Sequence, residues 1–200
     1  MSTQDMLGDA LAQVVGPLKD FFDKLAGKDG LQWLEAFKRF LRRENPWSKL
    51  LKFITTIAVA GAEKFVAADH FKADNETGVK LWLSDNFKQN FLGKTETVVA
   101  GATLTVYEFI KNSLDASIIA ELGDRHETSL FHLWELIKKQ SKGEEGTLRA
   151  DGYANIFYIR ATDGTLWAVN ASWYDGSWSV NAFSVGHPIG WDAGSRLVSR

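Results

Sequence analysis

Two hundred residues, 45% apolar and 24% charged, suffice for one ordinary globular domain plus an appendage, and they exclude disorder over most of the chain. The net charge of −2 offers no global attraction to nucleic acid, so no nucleic-acid partner is expected. The absence of cysteine excludes disulfides, thiol catalysis, iron–sulfur clusters and thiolate zinc sites, and it fits a cytoplasmic protein.

The opening residues, Met-Ser-Thr-Gln-Asp-Met, lack the basic and apolar regions of a signal peptide. The most apolar stretch, residues 50–62, contains Lys52 and falls short of the roughly 20 residues that a membrane span needs. No membrane span is expected.

Residues 3–26 read as helix. Leu7, Leu11, Val14, Leu18, Phe21 and Leu25 recur at steps of four and three, a short heptad-like seam. Gly16-Pro17 should kink this helix or split it in two. A second helix is predicted over 31–43, apolar through Leu31, Trp33, Leu34, Phe37, Phe40 and Leu41, and basic through Lys38, Arg39, Arg42 and Arg43. The basic side reads as a solvated helix face, with an acidic partner as the alternative. Asn45-Pro46 suggests a third helix carrying Leu50, Leu51 and Phe53. Residues 1–53 are thus read as a helical arm. Its seam packs as an αα-hairpin or joins a second copy, so a homo-oligomer is one expectation.

From residue 54 the texture changes. The β-branched run 54–60 reads as a strand, with one long helix over 47–71 as the competitor. Residues 64–71 and 79–83 are further strand candidates. Ser84 should cap a short helix ending near Leu92-Gly93. Residues 103–110 read as a strand. Two helices follow over 114–122 and 129–140, the first ended by Gly123 and the second capped by Thr128.

The last fifty residues give the clearest pattern. Strands over 153–161, 165–174 and 177–185 are separated by Asp163-Gly164 and Asp175-Gly176, the dipeptide of a two-residue hairpin loop. This is a β-meander. If both loops hold two residues, Tyr158 opposes Val169, and Trp173 opposes Trp178. One face then carries Ile156, Tyr158, Trp167, Val169, Ala171, Trp173, Trp178, Val180 and Ala182 and should be buried. The other carries Asn155, Ser172 and Ser179, then Phe157, Asn170 and Asn181, then Ile159, Ala168 and Phe183. The fold class is α+β: a helical N-terminal region, then an antiparallel sheet with flanking helices over 54–200.

Gly152-Tyr-Ala-Asn-Ile-Phe-Tyr-Ile-Arg160 and Asp163-Gly-Thr-Leu-Trp-Ala-Val169 resemble a recurrent bacterial domain of unknown function. The likeness extends back through 113–123 and 84–93 and covers roughly 60–200 of this sequence. Ser195–Arg200 is similar to that domain's closing strand, although Ala161 stands where the domain usually has Asp. The resemblance implies no activity, cofactor or site residue.

The chemistry is sparse. The histidines are His70, His126, His132 and His187, with no His-x-x-x-His pair, and His132 with Glu135 is the one helical spacing of note. No metal or cofactor is expected. A triad around His187 is conceivable, but there is no Gly-x-Ser-x-Gly, and His187-Pro188 reads better as a turn. Glycine-rich phosphate loops are absent. What remains is the second meander face, which reads either as an ordinary solvated sheet face or, through Asn155, Asn170, Ser172, Ser179 and Asn181 with Phe157, as a platform for a small neutral polar ligand. The expected function is a non-enzymatic binding or protein-interaction module. An enzyme with a hydrolase-like site of dispersed residues and a structural oligomerisation protein are the alternatives.

Overall fold

The structure is a computed structural model that describes residues 3–42, 49–72, 75, 77–186 and 190–200, with side chains from Val15 onward. Arg43, Asn45, Pro46, His187 and Pro188 lie outside the described residues, as do the side chains of Leu7, Leu11 and Val14. The chain divides into two units, Met1–Ser48 and Lys49–Arg200.

The first unit is a helical hairpin of α1 (Thr3–Ala26) and α2 (Gly30–Leu41). Gly16-Pro17 does not divide α1, which runs through Pro17 as one helix. The proline ring sits on an exposed side, and Gly16 leaves open space beside it. Gly30 is required at the bend, because a Cβ there would strike the Leu25 carbonyl. Phe21 packs on Phe37 with centroids 4.7 Å apart, and Lys24 lies 4.9 Å over the Trp33 ring. Lys38 pairs with Glu35 at 2.7 Å on the polar side of α2.

The second unit is built on β1 (Leu51–Val59), β2 (Ala62–Val66), β3 (Leu81–Leu83), β4 (Thr95–Val99), β5 (Ala102–Phe109), β6 (Glu127–Thr128), β7 (Asn155–Arg160), β8 (Leu166–Tyr174), β9 (Ser177–Ser184) and β10 (Arg196–Ser199). Its helices are α3 (Ala67–His70), α4 (Asp85–Phe91), α5 (Asp115–Leu122) and α6 (Leu130–Lys139). The main sheet runs β1-β5-β10-β7-β8-β9-β3, with β6 also on β7, and β2 and β4 form a separate ribbon. The fold is α+β. The sheet is mixed rather than purely antiparallel: β10 and β6 run parallel to β7, and β3 runs parallel to β9.

The third helix expected from Pro46 does not extend to Leu51 and Phe53, which open β1. Glu121 of α5 accepts from the Leu50 and Leu51 amides at 2.7 and 3.2 Å and fixes where that strand begins. Residues 64–71 also differ from expectation, since the strand gives way at Val66 to the short helix α3. Ser84 caps α4 through the Phe87 amide, as its position before the helix predicts. For α6 the cap is Ser129, not Thr128. The Ser129 hydroxyl accepts from the His132 amide, and the His132 ring accepts from the Ser129 amide, a reciprocal capping box. Glu96 of β4 adds two bonds, from the Leu130 and Phe131 amides, at the same helix start.

One sheet face meets α4, α6, α3 and the ribbon. Its core includes Phe65, Phe87, Phe91, Leu133, Trp134, Phe157, Val169, Trp178 and Val198. The opposite face is covered over β5, β10 and β7 by α5, through Ile118, Leu122, Ile156, Tyr158 and Leu197.

The two hairpins of the meander differ. At Asp175-Gly176 both residues have positive φ, 48° and 73°, and Tyr174 pairs with Ser177 around a two-residue loop. Trp173 faces Trp178 across the strands, their rings 5.5 Å apart, and Trp167 lies on the same core face. The Asp163-Gly164 hairpin instead has a three-residue loop. Ala161 N donates to the Thr165 carbonyl at 2.8 Å, and Gly164, at φ +84°, donates to the Ala161 carbonyl. Thr162 is anchored to the Asn90 carbonyl of α4 through both its amide and its hydroxyl. The extra loop residue shifts β7 by one position: Asn155 pairs with Ala171 and Phe157 with Val169. A one-residue shift exchanges the two faces of a strand. Asn155, Phe157 and Ile159 therefore turn to the core side, and Ile156 and Tyr158 to the other.

Candidate binding face

Four of the six expected site residues share one sheet face. Asn170 pairs with Asn181, and Ser172 with Ser179, in adjacent cross-strand rows of β8 and β9. Along each strand the amide reaches the neighbouring hydroxyl. Asn170 Nδ2 donates to Ser172 Oγ at 3.4 Å, and Asn181 Nδ2 to Ser179 Oγ at 3.2 Å. Ser172, Ser179 and Asn181 are half-buried, whereas Asn170 is only 7% exposed. Its Oδ1 is buried and has no hydrogen-bond partner among the described residues. A buried carbonyl left this way carries a desolvation cost of about 1–3 kcal/mol until a donor reaches it.

Asn155 and Phe157 do not belong to this face. Asn155 is fully buried and clamps a loop: its Oδ1 accepts from Arg149 N at 2.7 Å, and its Nδ2 donates to the Arg149 and Ala171 carbonyls, each at 2.9 Å. Phe157 is a core residue. The shifted register of β7 is the physical reason for both corrections.

Other aromatics take the vacated role. Trp82 of β3 pairs with Ser179 in parallel register, so it shares the Asn/Ser face, and it is 56% exposed. Tyr174 lies two residues beyond Ser172 on β8, on the same face, and is 75% exposed. On β8 and β9 the strand positions of this face are Leu166, Ala168, Asn170, Ser172, Tyr174, Ser177, Ser179, Asn181 and Phe183, with no charge among them. Spacing within the sequence hid Trp82, because β3 is only three residues long and its parallel partner is almost a hundred positions away.

At the other end the face closes on a polar knot. Tyr158 Oη and Trp191 Nε1 both donate to Asp115 Oδ1 at 2.7 Å, and Phe183 packs edge-on to Trp191 at 5.8 Å. Burial, reinforced by the Asp115 carboxylate, raises the Tyr158 phenol well above its ordinary range. The phenol therefore keeps its proton and serves to tie the start of α5 to the sheet.

The described histidines take structural roles, with His126 edge-on to the Tyr158 ring of the polar knot. His70 stacks on Phe65, His126 Nδ1 lies 2.6 Å from the Gly123 carbonyl, and His132 is inside the capping box. Among the described residues no group of three His, Asp or Glu side chains could hold a metal ion. No described helix is long and apolar enough to cross a membrane.

No family model matches the chain, and neither a curated protein nor a solved structure is significantly similar to it.

Proposed function

We propose that Lys49–Arg200 is a non-enzymatic binding module whose β8–β9 face takes a small uncharged polar ligand. One observation carries this reading: the buried, unpartnered Oδ1 of Asn170 at the base of an Asn/Ser ladder that has no charge. A hydroxyl or amide N–H would satisfy that oxygen, while the serine hydroxyls can donate in turn. The resemblance to a recurrent bacterial domain fits a module of this size but supplies no ligand. Saturation-transfer NMR with myo-inositol, N-acetylglucosamine and acetyl-dialanine amide tests the reading. At least one probe is expected to bind weakly, as suits an open face. Asn170→Leu with Asn181→Leu should abolish the signal. Equal binding by the double variant overturns the site.

A second reading concerns Met1–Ser48, which we propose joins copies of the chain. Val15, Leu18, Phe22, Leu31, Leu34, Phe40 and Leu41 are exposed on its two helices, and α2 buries no residue fully. Large apolar side chains left exposed in such number are the usual mark of an association surface. Light scattering is expected to find an oligomer that Leu34→Glu with Phe40→Glu converts to monomer. A wild-type chain that stays monomeric at high micromolar concentration overturns this role.

A further inference from the structure

We infer that the open end of the Asn/Ser face is a saccharide platform on which Trp82 and Tyr174 stack sugar rings; the inference rests on the uncharged-ligand reading above. The two exposed aromatics stand on either side of the Ser172–Ser179 pair, Trp82 on the adjacent strand and Tyr174 one pleat further along β8. Strand geometry puts their Cα atoms about 12 Å apart, two strand spacings across and two residues along. That separation is wider than one glycosidic step and suits two rings of a chain with a third between them better than one small molecule.

Large aromatics are costly to leave in water, and here two remain so on one side of a sheet. A pyranose offers an apolar face of C–H groups and a rim of hydroxyls. Stacking on indole and phenol rings removes apolar surface on both sides without needing a charge. The rim hydroxyls meet groups that both donate and accept: Ser172 and Ser179, then Asn181, then the unpartnered oxygen of Asn170 deeper on the face. The strand positions of this face on β8 and β9 carry no charge, which suits a hydroxyl-rich ligand. The exposed Lys80, whose carbonyl accepts from Trp178 N, lies two residues before Trp82 at the edge of the face.

The test is titration of the full chain with cellohexaose, maltohexaose and xylohexaose, followed by calorimetry. At least one is expected to bind, and Trp82→Ala and Tyr174→Ala should each weaken it tenfold or more. Both residues are exposed, so far-UV circular dichroism should be unchanged in these variants. No binding of any of the three at millimolar concentration overturns the inference, as does binding that both variants retain. Failure of the parent reading looks different. If acetyl-dialanine amide binds and is lost in the Asn170→Leu, Asn181→Leu double variant but not in Trp82→Ala, the face stands and the saccharide assignment falls. If an oligosaccharide depends on Trp82 and Tyr174 but not on the two asparagines, the platform stands and the Asn-based site falls.

Discussion

Trp178→Ala is expected to destabilise the protein by about 3–5 kcal/mol, the range for deleting a fully buried large aromatic. Trp178 has no exposed surface and sits at the centre of the core formed by β8, β9, β3 and α6. Its ring packs edge-on to Trp173, and its Nε1 donates to the Gln140 carbonyl at 2.8 Å. Gln140 ends α6, and its side chain bonds the backbone of Glu144 and Leu148, so it organises the loop after that helix. The substitution thus leaves a cavity and strips a buried carbonyl of its donor. For a chain of this size the loss corresponds to a midpoint shift of about 10 °C. Thermal and guanidinium unfolding followed by far-UV circular dichroism measure it. Trp173→Ala, at a half-buried ring, should cost clearly less. A loss below about 1.5 kcal/mol for Trp178→Ala would show that this core is not packed as described.

The second large effect is a dependence on pH. His132 is 1% exposed in the first turn of α6, and its pKa is pushed down to about 4, first by burial and then by the positive charge of Arg200. Nδ1 accepts from Ser129 N, and Nε2 faces the Ala100 carbonyl without reaching hydrogen-bond geometry. Glu96, on the neighbouring ribbon, is committed to the Leu130 and Phe131 amides and lies 3.7 Å from Lys94. Unfolded His132 would titrate near 6.5, so between pH 6.5 and 4 the unfolded chain binds the proton and the folded chain does not. Stability is therefore complete above about pH 6.5 and falls as pH drops towards 4, by about 2–3 kcal/mol from this residue. His132→Gln keeps a residue suited to the capping box but does not titrate. Denaturant midpoints at pH 7 and pH 4 should diverge more for wild type than for His132→Gln. Equal losses in the two proteins would refute the assignment.

These residues also show what the sequence could and could not reveal. The Asp175-Gly176 turn was legible because a two-residue loop needs positive φ at both positions, and Asp-Gly is the pair that provides it locally. Asp163-Gly164 is the same dipeptide, yet Thr162 is held by Asn90 of α4, and that tertiary contact goes with a longer loop. A local signal could not distinguish the two. The consequence was selective: β8 and β9 kept their faces, and Asn170, Ser172, Ser179 and Asn181 stayed together, while Asn155 and Phe157 crossed to the core. The β-branched texture of 54–60 was a correct sign of a strand, but Leu51 and Phe53 preceded it with no such mark. Their strand conformation depends on pairing with Phe109 and Tyr107. Trp82 was invisible for a related reason, since only its parallel partner Ser179 gives it a face.

The position of β10 bears on how the sheet comes together. Its four residues bond β5 on one side and β7 on the other, and β5 and β7 do not bond each other. Before that segment docks, there is one ribbon of β1 with β5 and another of β7, β8, β9 and β3 with the two residues of β6 on part of the β7 border, and no ladder joins them. Both neighbours lie well upstream of residue 196, so a growing polypeptide makes the two borders of the gap long before it makes the strand that fills it. The intervening borders are unpaired strand edges, the surface through which partly folded chains most readily stick to one another. The interval between synthesis of residue 160 and docking of residues 196–199 is therefore the stage at which these strand edges stand open to misassembly.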